Sequence, residues 1–262
     1  NPDRDIDERV EDLLLRMNLE EKVEQLVAEL SDGFWIERVD GDLRISDALK
    51  AIIADPPCGK LALPLRSDFF ATRSLDLVPT PAEGARITNE LQRYVLENTR
   101  LGIPVLTGND DNRCHLGWGS TIFPSVLNIG CTWDRDLQFR IAKAIAAEGR
   151  SRGEHYAYAP NLDVIRDPRF GRSDQNYGED PYLVAEMGVA AVRGLQGESL
   201  RARDSMGAML RAYPGAGEMD GGHDFAELNL GERDMQEVVL YPFARAIKAG
   251  ARGVMVERSV YD

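Results

Sequence analysis

Apolar residues recur at three- and four-residue intervals over 6–17 and again over 19–30, which predicts two short surface helices. Asn18 stands where it would cap the second, with Glu21 three residues on in the capping-box position. Over 33–79 the pattern weakens around Asp55-Pro-Pro-Cys-Gly59 and closes at Pro79-Thr-Pro81, so this stretch reads as a variable excursion before a helix over 82–98. From 103 onward strand and helix alternate. Strands are predicted over 103–107, 155–160, 205–212 and 253–257, and helices over 134–152, 181–196 and 232–249. Glycines close the helices at Gly153, Gly197 and Gly250, and a strand spacing near about fifty residues indicates right-handed βαβ units on a parallel sheet. The fold class is α/β, and an incomplete TIM-type (β/α)8 barrel accommodates the rhythm best.

Composition narrows the function classes. The 262 residues are 43% hydrophobic, enough for a large core, and contain no apolar run of membrane-spanning length. A membrane partner is therefore not expected. The formal charge of -13 repels polyphosphate, and the 31 lysines and arginines are dispersed, which argues against nucleic acid. Three cysteines, Cys58, Cys114 and Cys131, lie far apart with no C-x-x-C pair, as in a reduced compartment or as buried thiols. The first residues, Asn1-Pro-Asp-Arg4, carry neither an initiator Met nor an export signal, so localisation is left open.

The most charged ordered stretch runs over 158–183, where arginines and aspartates surround prolines and glycines. It includes Arg166-Asp-Pro-Arg-Phe-Gly-Arg172 and Tyr177-Gly-Glu-Asp-Pro-Tyr-Leu183, a polar loop following a strand, where sites on rigid scaffolds are built. Asp180 and Pro181 read as N-cap and first residue of the next helix. These motifs resemble the characteristic loop of glycoside hydrolase family 3, the β-glucosidase family. Leu101-Gly-Ile-Pro-Val-Leu-Thr-Gly108, Thr121-Ile-Phe-Pro124, Val192-Arg-Gly-Leu-Gln-Gly197 and Pro242-Phe-Ala-Arg-Ala-Ile-Lys-Ala-Gly250 agree in order and spacing. The resemblance runs over 9–262 and implies a single, partial N-terminal barrel domain lacking its later strands, whose last strand edge would be open to association.

What the resemblance implies about the site is specific. Asp110 falls where the family grips sugar hydroxyls with a carboxylate, which can accept two such bonds at once; read without the family, Asp110 or Asp111 is more often a turn cap. Arg172 matches the family arginine that donates to sugar hydroxyls, its planar fork spanning two oxygens. Arg166, Asp167 and Arg169 are expected to brace the loop by pairing among Asp163, Asp167, Glu179 and Asp180. Two departures stand out. Arg211-Ala-Tyr-Pro-Gly215 replaces the family's Lys-His-Phe-x-Gly, and Arg258 occupies an aromatic place. Arg211 keeps a positive donor, but Ala212 has none, a loss that should weaken sugar binding by roughly 1–3 kcal/mol.

A retaining glycosidase needs two carboxyls roughly 5–5.5 Å apart. The family's nucleophile is an aspartate in a Ser-Asp-Trp-like motif on a later strand, expected here after Asp262, and its acid/base usually comes from a following domain. No catalytic residue is therefore assigned within 1–262. No metal or other cofactor is expected, since His115, His155 and His223 are scattered and His115 reads as a loop residue. The glycines at 215–222 lack a P-loop lysine, and Trp118, between two glycines, is expected to be exposed. Two readings follow. One is the N-terminal part of a retaining β-glycosidase acting on β-glucosides or oligosaccharides, favoured by Asp110 and Arg172. The other is a degenerate, non-catalytic barrel serving binding or structure, favoured by Arg211, Ala212 and Arg258.

Overall fold

In the computed structural model, which describes residues 3–30, 35–54, 56–62, 64–67, 75–223 and 226–256, the chain divides into two compact units, Asn1–Gly108 and Asn109–Asp262. The first opens with α1 (Ile6–Arg16) and α2 (Leu19–Glu24). The capping box at Asn18 forms, with the Glu21 N–H donating to Asn18 Oδ1 at 2.9 Å and the Asn18 N–H to Glu21 Oε2 at 2.8 Å. Helix α2 is shorter than its periodicity predicts, and Ala28–Leu30 is strand β1. Neighbouring backbone takes the carbonyls a longer helix would use. The Gly59 N–H donates to Glu24 O at 2.8 Å and the Lys60 N–H to Val27 O at 3.2 Å. That approach requires glycine, because a β-carbon on Gly59 would lie 2.1 Å from Gln25 O.

The stretch 33–79 is more than an excursion. It holds the antiparallel hairpin β2 (Ile36–Val39) and β3 (Asp42–Ile45), helix α3 (Asp47–Ile52) and strand β4 (Lys60–Ala62). Strand β4 pairs in parallel with β1, Lys60 opposite Ala28. Helix α4 (Pro81–Asn98) follows, begun by a second capping box at Thr80 and Glu83. Strand β5 (Leu106–Asn109) then pairs in parallel with β4, Lys60 opposite Leu106. The α4 face of Ile87, Leu91 and Val95 closes a core with Trp35, Ile45, Leu49, Ile53, Leu61 and Val105.

The second unit contains α5 (Val126–Gly130), α6 (Arg135–Ser151), β6 (Tyr156–Ala157), α7 (Pro181–Gln196) and β7 (Gly207–Tyr213), then α8 (Glu232–Asp234), α9 (Leu240–Lys248) and β8 (Gly253–Val256). Strands β6, β7 and β8 run parallel, with Tyr156 opposite Gly207 and Met209 opposite Gly253. Parallel strands alternating with helices are the repeat of a TIM-type barrel. Helix α7 has the predicted bounds because Asp180 caps it and Pro181 starts it. The helix expected over 232–249 is instead divided by a π turn, Met235–Val239. Pro242 has no N–H for the Val238 carbonyl, and a wider turn just before it re-registers the ladder. Ile145, Leu162, Met187, Val192, Leu210 and Phe243 fill the core. Arg258 and Asp262 lie outside the described residues.

Candidate functional site

Barrel chemistry collects at the C-terminal ends of the strands, and two expected site residues meet there. Strand β5 ends at Asn109, whose side-chain oxygen accepts from the Asp110 N–H at 2.9 Å. Asp110 in turn accepts from Arg211 Nη1, a residue of β7, and both side chains are partly buried. Beside them the backbone is zipped. The Leu162 N–H donates to Arg211 O at 2.6 Å, the Arg211 N–H to Pro160 O at 3.1 Å, and the Ala212 N–H to Asp163 Oδ2 at 3.2 Å. The Arg211–Ala212 peptide is cis. Ala212 is buried and packs with Ala216 and Met219. Tyr156 and Tyr158 stand edge to face with ring centroids 5.1 Å apart, and burial pushes the Tyr158 phenol upward.

The charged loop is braced, by the expected partner Asp167 for Arg169 and by an unexpected one, Glu218, for Arg166. Arg166 forks onto Glu218, with contacts of 2.6 and 2.7 Å, and Arg169 closes back on Asp167. Asp180 is spent as a helix cap and Asp163 accepts the Ala212 N–H. Gly171 turns the loop at φ 75°, open to glycine at little cost. Arg172 follows at the head of the turn Ser173–Gln175, half-buried, its carbonyl accepting from Asn176 Nδ2 at 3.0 Å. Trp118 is exposed as expected, at 59%.

His115 is a loop residue, as expected, but a buried one. It is buried with Asp111 and Glu154, all three side chains at 0% exposure, and its Nδ1 lies 3.2 Å from Asp111 Oδ1 and 3.1 Å from Glu154 Oε2. Arg152, also buried, donates from Nη2 to Trp118 O at 3.1 Å nearby. Burial alone opposes charge on the imidazole, but Glu154 and Asp111 outweigh it and raise its pKa. Burial and the Glu154 charge likewise raise the Asp111 carboxyl. Sequence reading missed this group because Glu154, at the end of Ser151-Arg-Gly-Glu154, carries no motif and meets His115 only through the fold.

Comparison with known proteins identifies the family and the fold. The profile of the Glycosyl hydrolase family 3 N terminal domain matches residues 18–261. A putative β-xylosidase of Formosa agariphila is 34% identical over 254 residues, covering 95% of this chain and 32% of that protein. The periplasmic β-glucosidase of Salmonella typhimurium is 26% identical over 223 residues, covering 82% and 29% respectively. The crystal structure of β-glucosidase from Listeria innocua superposes with a TM-score of 0.78 at 28% identity, over 97% of this chain and 33% of that one. The chain spans about a third of the length of these relatives.

Proposed function

The chain belongs to glycosyl hydrolase family 3, through its N-terminal domain, and we propose that it forms the sugar-gripping part of a retaining β-glycosidase site acting on β-glucosides, β-xylosides or their oligosaccharides. Residues 1–262 are then one partial barrel domain, with Asp110 accepting from glycone hydroxyls and Arg172 and Arg211 donating to sugar oxygens. The observation that carries this reading is the Arg211 to Asp110 contact at the ends of β5 and β7, a carboxylate acceptor facing a guanidinium fork. Relatives named as β-xylosidase and β-glucosidase support the substrate class, as does the solved complex of the Listeria innocua enzyme with glucose.

The nucleophile and acid/base carboxyls are assigned to sequence beyond Asp262 in a longer parent. Among the described residues, carboxylates near the strand ends are already committed: Asp110 to Arg211, Asp111 and Glu154 around His115, Asp163 to the Ala212 N–H and Glu218 to Arg166. The 262-residue chain alone is expected to bind sugar without cleaving it.

Saturation-transfer NMR with methyl β-glucoside and methyl β-xyloside tests the grip. Weak binding that disappears in Asp110→Asn is the expected result. Silence in the unmutated chain would instead favour a non-catalytic barrel, a reading supported by Ala212 packing with Ala216 and Met219 where a donor to a sugar hydroxyl is expected. Turnover of an aryl β-glucoside above buffer would overturn the placement of both catalytic carboxyls outside 1–262.

A further inference from the structure

The geometry points to Asp111, His115 and Glu154 as a closed binding site for one divalent first-row transition-metal ion, of the zinc or manganese class. One imidazole nitrogen and two carboxylates are the mixed donor set that such ions take. One ligand atom from each residue lies within 4.8 Å of the other two. The separations from His115 Nδ1, 3.2 Å to Asp111 Oδ1 and 3.1 Å to Glu154 Oε2, are those of neighbouring ligands on one ion. Bonds of about 2.0–2.2 Å place adjacent donors about 3.0 Å apart at a right angle and about 3.4 Å apart in a tetrahedron.

The unsatisfied atoms point the same way. Among the described residues, Asp111 Oδ2 and Glu154 Oε1 have no hydrogen-bond partner although buried, and Glu154 Oε2 has only the 3.1 Å approach of His115 Nδ1; orphaned buried carboxylate oxygens are costly. A single N–H on Nδ1 cannot serve two carboxylates well, whereas an ion between them serves both. Asp111 Oδ2 and Glu154 Oε1 can then complete the shell through bidentate carboxylates. The other ring nitrogen, Nε2, is buried without a hydrogen-bond partner among the described residues and faces Gly117, where a β-carbon would lie 2.6 Å from it. Two carboxylates against the one guanidinium of Arg152 leave a net negative charge when the imidazole is neutral. That charge is met by an ion or by a proton, and the two compete for Nδ1. Full burial marks a structural ion, one that ties the segment after β5 to the segment before β6 behind Asp110.

The test is to unfold the 262-residue chain with a chelator, refold it with Co2+ or Zn2+, and exchange it into metal-free buffer. Expected are one ion per chain by elemental analysis, a visible Co2+ ligand-field band, and loss of both in Glu154→Gln and His115→Gln. X-ray absorption on the unmutated Zn2+ chain gives an answer even if a variant fails to fold, and the expected first shell is nitrogen and oxygen only. No retained ion, a band unchanged in folded variants, or a sulfur shell from the cysteines would overturn the site. In the first case the proton is the occupant.

Discussion

Arg211 on β7 donates to the carboxylate of Asp110 at the end of β5, so two residues expected to hold a sugar contact each other. Their side chains are 14% and 23% exposed, which leaves each charge dependent on the other. Removing one partner of a half-desolvated pair strands the other. Asp110→Asn and Arg211→Gln should each destabilise the second unit by about 1–3 kcal/mol. The double variant should cost less than the sum, with a coupling of about 1 kcal/mol or more in urea titrations. Strict additivity would show that solvent already screens the pair.

Legibility followed element length and local chemistry. Helix α7 was readable to the residue because Asp180 and Pro181 announce its start and Gly197 follows its end. Strand β1 was not, because Leu19, Val23, Leu26, Val27 and Leu30 continue a helical period that only the approach of Gly59 interrupts. Strands of two to four residues, such as β4 and β6, are too short for an alternation to register. Among the candidate site residues, Asp110 and Arg211 could be singled out through the family motifs, and the fold brings them into contact. Glu154 could not, since its meaning comes from what the fold sets beside it.

Helices α6 and α7 touch at Gly194, where a β-carbon would lie 2.4 Å from Phe139 O and 2.7 Å from Ala142 Cβ. Backbone cannot yield as a flexible side chain can. Gly194→Ala is therefore expected to lower stability by about 1–3 kcal/mol through forced separation of the helices, despite alanine's better helix propensity. Gly231→Ala, with nothing within 4 Å of the added carbon, is a comparison free of steric conflict and should cost only the smaller preference for glycine over alanine at the N-cap of α8. Thermal denaturation of the two variants compares them directly. Equal melting temperatures would mean the α6 to α7 contact relaxes freely.

The three cysteines should differ sharply towards alkylation. Cys131 is exposed, while Cys58 and Cys114 are buried. Burial, aided by the charges of Glu29 and Glu24, pushes the Cys58 thiol up to about 11, so almost no thiolate is present at neutral pH. A chromogenic disulfide reagent should titrate one thiol quickly in native buffer and all three in denaturant. Fast modification of Cys58, located by peptide mapping, would mean that the β1 to β4 region opens readily.

Stability of the first unit should fall in acid through Glu21. Its carboxylate accepts from Arg100 Nε at 2.7 Å and from the Asn18 N–H at 2.8 Å, and Arg100 also donates to Arg16 O, tying the end of α1 to the start of α2. The Arg100 hydrogen bond lowers the Glu21 carboxyl below its ordinary 4.5, with burial opposing and the Asn18 N–H and the Arg100 charge assisting. A depressed folded value means that the folded state binds fewer protons than the unfolded one. The stabilisation is therefore complete above the ordinary value and disappears as pH falls through the folded one. Other carboxylates titrate in the same window, among them Glu83 and Asp47, so the informative quantity is the difference between the unmutated chain and Glu21→Gln. Buried Trp35 reports on this unit by fluorescence. The urea midpoint of Glu21→Gln should lie below that of the unmutated chain at about pH 7, and the two should converge towards about pH 3. A gap that does not change with pH would assign the role of Glu21 to its neutral hydrogen bonds in the capping box instead of to the ion pair with Arg100.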